Sequence, residues 1–246
     1  MKLDGKVAAV TGGTRGVGAG IARSLARAGA EVVVCARRPP DTPVPGARFA
    51  PLDVRDADAV HTFFAGLPRL DVLVNNAGGA PYRPLAEADA HRHARVIELN
   101  LLAPLTVSLA AHDHLRRARG SILMIGSVSG SRPSPGTAAY GAAKAGLEHL
   151  ARSMAVEWAP EIRVNTLVVG MVHTERTHLH YGDDDGVEAV ARTVPLGRLA
   201  LPDDVGDAAA FLASDAAAYI SGASLLLHGG GELPAFIDAA TANKKT

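Results

Sequence analysis

Cysteine is almost missing from this chain: Cys35 is the only one among 246 residues. An intramolecular disulfide is excluded, and so is any metal or redox motif built from several cysteines. Net charge is missing as well, with 25 basic residues set against 25 acidic ones. A balanced chain has no general electrostatic footprint for nucleic acid or an anionic membrane. No unbroken apolar run approaches the roughly 18–20 residues of a membrane span. The opening Met1-Lys2-Leu3-Asp4-Gly5-Lys6 carries charge where a secretory signal needs an apolar stretch. These shortages point to a cytoplasmic protein with no nucleic-acid or membrane partner. Hydrophobic residues make up 48% of the chain and charged ones 20%, enough for a core and against disorder of the whole chain.

Short apolar runs alternate with longer, alanine-rich amphipathic segments. Strands are expected at Lys6–Thr11, Glu31–Cys35, Arg48–Leu52, Val72–Asn75, Ser121–Ile125, Ile162–Val169 and Ser224–Leu227. Helices are expected at about Ala19–Ala28, Asp56–Ala65, Ala86–Arg117, Ala138–Trp158 and Asp203–Ala213. Continuous apolar strands separated by helices imply a parallel sheet covered on both faces. Right-handed crossovers then give a doubly wound α/β fold of the Rossmann type. No linker divides the chain, so residues 1–246 are read as one domain. The stretch Arg38–Ala47 holds four prolines and cannot sustain a helix; an extended loop is expected there instead of a crossover helix. Met171–Val194 breaks the strand–helix rhythm and is read as a lid. The tail Glu232–Thr246 either docks on a neighbouring subunit or frays.

The first strand runs straight into Gly12-Gly13-Thr14-Arg15-Gly16-Val17-Gly18 and then a helix. Glycines there permit a tight turn and let a pyrophosphate approach backbone N–H groups at the helix N-terminus. Alone, this pattern also fits a tight turn with no ligand; its place at the first strand of an α/β chain favours the dinucleotide. Tyr140 and Lys144, spaced i, i+4, share a helix face. A free phenol is too weak a base at neutral pH, with a pKa near 10, but a neighbouring cation lowers that value. An acid–base poised near neutrality is what proton exchange with an alkoxide requires. Ser127 follows the fifth expected strand, and Asn75-Asn76-Ala77-Gly78 follows the fourth, both at the edge where such sheets bind ligands. Asn100 is a polar residue in a segment rich in Leu and Ala. Pro104, four residues on, removes a helix hydrogen bond at the Asn100 carbonyl.

From Lys6 to about Gly230 the chain resembles the short-chain dehydrogenase/reductase family, in its single-domain branch of roughly 250 residues. Thr11–Gly18 matches the family's TGxxxGxG loop, Asp53-Val54 its acidic pair beside the adenine, and Asn75–Gly78 its NNAG turn. The catalytic tetrad matches at Asn100, Ser127, Tyr140 and Lys144. The resemblance implies that Tyr140 exchanges the proton, that Ser127 bonds the carbonyl, and that Asn100 anchors a water leading to solvent. Lys144 would hold the nicotinamide ribose and lower the Tyr140 pKa. Gly12, Thr14, Arg15, Gly16, Val17, Gly18, Arg37, Asp53, Val54, Asn76, Ala77 and Gly78 would line the cofactor site with Tyr140 and Lys144. Gly170–Thr174 is similar to the PGxxxT loop, with Val172 and Thr174 toward the carboxamide. Val169 stands where the family has proline.

The implied activity is hydride transfer between a nicotinamide and a carbonyl or secondary alcohol. A non-catalytic dinucleotide sensor is the alternative, but it has no need of the complete tetrad. The extended, epimerase-like branch would show a different glycine spacing and a longer C-terminal region. Related enoyl reductases separate Tyr and Lys by six residues, against three here. NADP(H) is expected ahead of NAD(H), because no acid ends the second strand while Arg37 and Arg15 stand where a 2′-phosphate would sit. His173, His178 and His180 near Asp183–Asp185 read as a solvated lid, and no metal is expected. Cys35 reads as a core residue, and His112 and His114 as solvent-facing. The substrate pocket is expected from Ser129, Pro133, Ala80–Tyr82 and parts of the lid. An oxoacyl thioester, a steroid-like ketone and a sugar-derived alcohol all remain compatible. The resemblance implies pairing of the two long alanine-rich helices across two-fold axes and hence a homotetramer, with a dimer second.

Overall fold

The valine-rich runs become seven parallel strands: Val7–Thr11 (β1), Glu31–Ala36 (β2), Ala47–Pro51 (β3), Val72–Asn75 (β4), Ser121–Ser127 (β5), Arg163–Val169 (β6) and Ser224–Leu227 (β7). They come from a computed structural model that describes residues 1–241. The strand order is β3-β2-β1-β4-β5-β6-β7, so the chain reverses its direction of travel between β1 and β4. Alternate residues of each strand feed opposite faces. Val72, Val74, Leu123 and Leu167 join one core, together with Ile21, Leu25, Val205 and Leu212. Leu73, Ile122, Met124 and Val164 join the other, with Phe64, Val107, Leu115, Leu147 and Met154.

Nine α-helices lie among the described residues: Gly16–Arg27 (α1), Ala57–Ala65 (α2), Ala90–Ile97 (α3), Ala103–Ala118 (α4), Ala138–Glu157 (α5), His178–Tyr181 (α6), Asp184–Arg192 (α7), Pro202–Ala213 (α8) and Ala235–Ala239 (α9). Helices α1 and α8 cover one face of the sheet, and α2, α4 and α5 the other. Residues 37–46 form the expected helix-free connection.

Several boundaries differ from expectation. Helix α1 begins at Gly16 rather than Ala19, because glycines weaken the sequence signal for a helix while the turn itself demands them. Strand β5 runs on through Ser127, so the serine ends the strand instead of following it. The single helix expected over Ala86–Arg117 is a continuous helical stretch, Ala90–Ala118, made of α3, a π segment at Glu98–Leu102, and α4. Pro104 has no N–H to give the Asn100 carbonyl, and the Ala103 N–H bonds back to Glu98, re-registering the ladder by one residue around Asn100. By length and composition alone this stretch could cross a membrane, with mean hydropathy 1.4 over 18 residues. Polar residues break its apolar run, and Val107, Ala111 and Leu115 pack in the core. Met171–Val194 holds α6 and α7, the latter capped where Asp183 accepts the Gly186 N–H at 3.0 Å. Of the expected tail, Ala235–Ala239 is helical, and residues 242–246 lie outside the described residues.

Candidate active site

The C-terminal ends of β1, β4, β5 and β6 meet at the topological switch point, where open α/β sheets bind ligands. Thr11 closes β1 and organises this edge. Its Oγ1 accepts the N–H groups of Asn76 and Ala77, each at 3.0 Å, and donates to the Val74 carbonyl at 3.3 Å. In return the Asn76 amide donates to the carbonyls of Thr11 (2.9 Å) and Gly12 (3.1 Å). The glycine loop and the Asn75–Gly78 turn are therefore one bonded unit. The Asn76 side chain is a brace within it, and Thr11, the first residue of the TGxxxGxG match, is its hub. Gly18 must be glycine here: a Cβ would stand 2.4 Å from the Gly12 carbonyl oxygen and 2.5 Å from Asn76 Nδ2.

Beyond the brace, Arg15 is the exposed N-cap residue of α1, with no side-chain cap on the helix's first N–H groups. Thr14 and Val17 are half-buried beside it. Thr174 reaches over from the loop after β6, its Cγ2 3.5 Å from where a Cβ on Gly16 would stand. Val172 bridges to Ala200 and packs on the core. Val169 continues β6, paired with Ser127 on one side and Leu227 on the other. Arg37 is exposed just past β2. Asp53 is held by Arg55 at 2.7 Å, and that bond, helped by the charge of Arg37, keeps its carboxyl below the usual range. Val54 is buried.

Tyr140 and Lys144 do share a face of α5, with the ammonium 5.5 Å from the centre of the phenol ring. Lys144 is buried and donates to the Ile125 carbonyl at 2.7 Å. Burial pushes its pKa from 10.5 down to about 8. Burial also raises the Tyr140 pKa, opposed by a hydrogen bond to Ser127. The expectation that Lys144 lowers the Tyr140 pKa is thus corrected in the protein alone. Desolvation disfavours the charged form of each, and neither group contributes to the shift of the other. Asn100 is buried in the π segment; its Oδ1 accepts the Gly79 N–H at 2.8 Å, and its Nδ2 donates to the Gly79 and Val96 carbonyls. Gly78 makes room for this contact, since a Cβ there would meet Asn100 Oδ1 at 2.6 Å.

These features fit a nicotinamide dinucleotide. The glycine loop leaves backbone N–H groups free for phosphates, and a buried ammonium with one protein acceptor has donors left for ribose hydroxyls. Among the described residues no three His, Cys, Asp or Glu side chains come together as a metal site. Cys35 is buried within β2, and burial pushes its thiol up to about 12. His112 is not simply solvent-facing, because its ring packs edge-on against Trp158 at 5.0 Å.

A family model described as enoyl-(acyl carrier protein) reductase matches residues 12–232. L-fucose dehydrogenase of Oryctolagus cuniculus is 37% identical, over 93% of this chain and 86% of its own. The 2-dehydro-3-deoxy-D-gluconate 5-dehydrogenase of Pseudoalteromonas atlantica is 34% identical, over 94% and 97%. Among solved structures, one from Beutenbergia cavernae is assigned provisionally as an NAD(P)-dependent gluconate 5-dehydrogenase and holds NADP at low occupancy. It superposes with a TM-score of 0.85 at 33% identity, covering 93% of this chain and 97% of that one. The chain belongs to the short-chain dehydrogenase/reductase family. It is an oxidoreductase of carbonyl and alcohol groups that uses a nicotinamide cofactor.

Proposed function

We propose that Tyr140 exchanges the proton at the substrate oxygen as a small carbonyl compound and its secondary alcohol interconvert. The observation that carries this reading is the meeting of Tyr140, Ser127 and Lys144 at one sheet edge. A raised pKa keeps the phenol protonated at neutral pH, which suits it to give a proton during carbonyl reduction. Ser127 donates to the substrate oxygen and stabilises charge developing there. Lys144 holds the nicotinamide ribose and, when charged, favours the phenolate in the oxidative direction. Asn100 fixes Gly79 at the site wall and anchors a water between Lys144 and solvent. The bound nicotinamide supplies the hydride acceptor or donor. Gly12, Thr14, Arg15, Gly16, Val17 and Gly18 receive the pyrophosphate, and Asp53 and Val54 flank the adenine. Asn76, Ala77 and Gly78 support the turn beneath the cofactor, while Val172 and Thr174 meet the carboxamide.

NADP(H) is the preferred cofactor in this reading, because Arg15 and Arg37 are exposed and enter no ion pair among the described residues. Residues 171–194 act as a substrate lid. Exposed Leu102 at the end of the π segment, Leu109 on α4 and Val156 on α5 support assembly through those helices into a homotetramer. A fold whose only thiol is buried fits the cytoplasm. The relatives' names favour a sugar-derived alcohol among the compatible substrates. A substrate screen that follows reduced-nicotinamide absorbance tests the reading. Turnover with NADP(H) ahead of NAD(H), and a selective rise in the NADPH Michaelis constant for Arg37→Ala, are expected. Tight dinucleotide binding with no turnover on any carbonyl or alcohol would instead make the chain a sensor. Light scattering that finds a 25.3 kDa particle would contradict the assembly.

A further inference from the structure

A cleft of about 380 Å³ opens against Tyr140, and its charged lining is wholly cationic. Arg55, Arg83, Arg92 and Arg95 border it together with His93, and no aspartate or glutamate does. Composition does not account for this, since acids and bases balance over the chain. Two of the four arginines are accounted for locally. Arg55 is paired with Asp53, and Arg95 also borders the neighbouring hollow that Asp53, Asp56 and Glu98 line.

Arg83 and Arg92 are different. Neither enters an ion pair among the described residues, and the Arg83 guanidinium makes one long hydrogen bond, from Nη1 to the Glu87 carbonyl at 3.5 Å. Arg92 stands in the first turn of α3, where the helix dipole disfavours a cation. Helix stability therefore gives no reason for Arg92, and departures from a local rule of this kind concentrate at functional sites. Val96, Leu99 and Pro81 supply apolar wall between the cations. Low-dielectric walls focus the field of like charges onto whatever enters a cleft. A planar guanidinium with no internal partner is a ready fork for a carboxylate.

We propose that this cleft takes the carboxylate end of the substrate, held by Arg83 and Arg92, so that the compound turned over at Tyr140 is a small hydroxy or oxo acid. The proposal rests on the oxidoreductase reading above for the fate of the other end of the molecule. Binding of the acid does not depend on that reading, which allows the two to be tested apart.

The test uses D-gluconate and 3-hydroxybutyrate as acids, with D-sorbitol and 2-butanol as neutral counterparts, all with NADP⁺ present. Melting-temperature shifts report binding without turnover, and reduced-nicotinamide absorbance reports turnover. At least one acid should bind more tightly than its neutral counterpart. Arg92→Gln and Arg83→Gln should each weaken that acid by about 10–100-fold, as expected for one charge-assisted contact. Neutral compounds should change far less. Tyr140→Phe should abolish turnover and keep acid binding. Acids that bind no better than their neutral counterparts, or glutamine variants that bind the acid as the wild type does, would overturn the proposal and leave the oxidoreductase reading intact. Acid binding that depends on the arginines with no turnover of any compound would sustain the subsite and sink the reading of Tyr140. A smaller particle for Arg92→Gln with unchanged acid binding would assign the arginines to a subunit contact and overturn the subsite.

Discussion

Residues 11–18 and 75–78 are joined by four hydrogen bonds through Thr11 and Asn76, whereas residues 171–194 bury only Thr177 and Val194. The first region is pinned to β1 and β4 beneath it and fixed by contacts a single methyl would break. The second carries two short amphipathic helices on an open face. The contrast fits the proposed division between a cofactor cradle and a substrate lid. A preformed cradle suits a ligand that never changes, and a weakly anchored segment gains its order from the molecule it covers.

The largest effect expected on this contrast comes from the buried ammonium under the cradle. Lys144 has a pKa of about 8 in the fold against 10.5 for an ordinary lysine, so between those values the unfolded chain binds more protons. Its cost to the fold is full below pH 8 and fades as pH rises toward about 10.5, meaning that this contribution makes stability rise with pH. Lys144→Met should stabilise the cofactor-free protein at pH 7 by about 3 kcal/mol, a gain that shrinks by pH 10. Urea midpoints at the two pH values check this; a destabilised variant at pH 7 would mean that the Ile125 bond outweighs burial.

Smaller effects distinguish the two regions directly. Gly18→Ala pushes a methyl into the Gly12 carbonyl and the Asn76 amide, and should cost about 1–3 kcal/mol while weakening dinucleotide binding. Gly182→Ala, in the proposed lid, meets nothing within 4 Å but must hold φ +85° and ψ −137°, a conformation close to the glycine-only region, at about 1–3 kcal/mol. Melting curves with and without NADP⁺ separate the two, and equal losses of cofactor affinity would erase the distinction. The least perturbing measurement is hydrogen exchange. Amides of residues 184–192 should exchange early in the free protein and slow when cofactor and substrate bind; strong protection in the free protein would remove the lid.

The sheet was legible because buried parallel strands are written as unbroken Val, Ile and Leu runs. Its motifs were legible because glycines and paired polar residues stand at fixed offsets from those runs. Ser127 was misplaced by the strand's end because Gly126 and Ser127 dilute the apolar signal that β5 nonetheless continues. The helix after Asp183 was missed although Asp183 is an N-cap ahead of an amphipathic run; the histidines and aspartates around it drew a solvated-loop reading. Pairwise spacing placed Tyr140 and Lys144 on one face but could not weigh their attraction against burial, which depends on everything packed around them. Arg83 and Arg92 carried no signal in the sequence, since one sits in a loop and the other on a short helix, and only the fold brings them to one cleft.

The most direct test of the central assignment is single-turnover kinetics of Tyr140→Phe with NADPH and a carbonyl substrate, alongside NADPH binding by fluorescence. Hydride transfer should fall by at least about 10²–10⁴-fold while NADPH affinity stays within a few-fold of wild type, because the ring remains and only the transferable proton is gone. Hydride transfer at near wild-type rate would contradict the role given to Tyr140 and, with it, the reading of the Ser127–Tyr140–Lys144 edge as the catalytic centre.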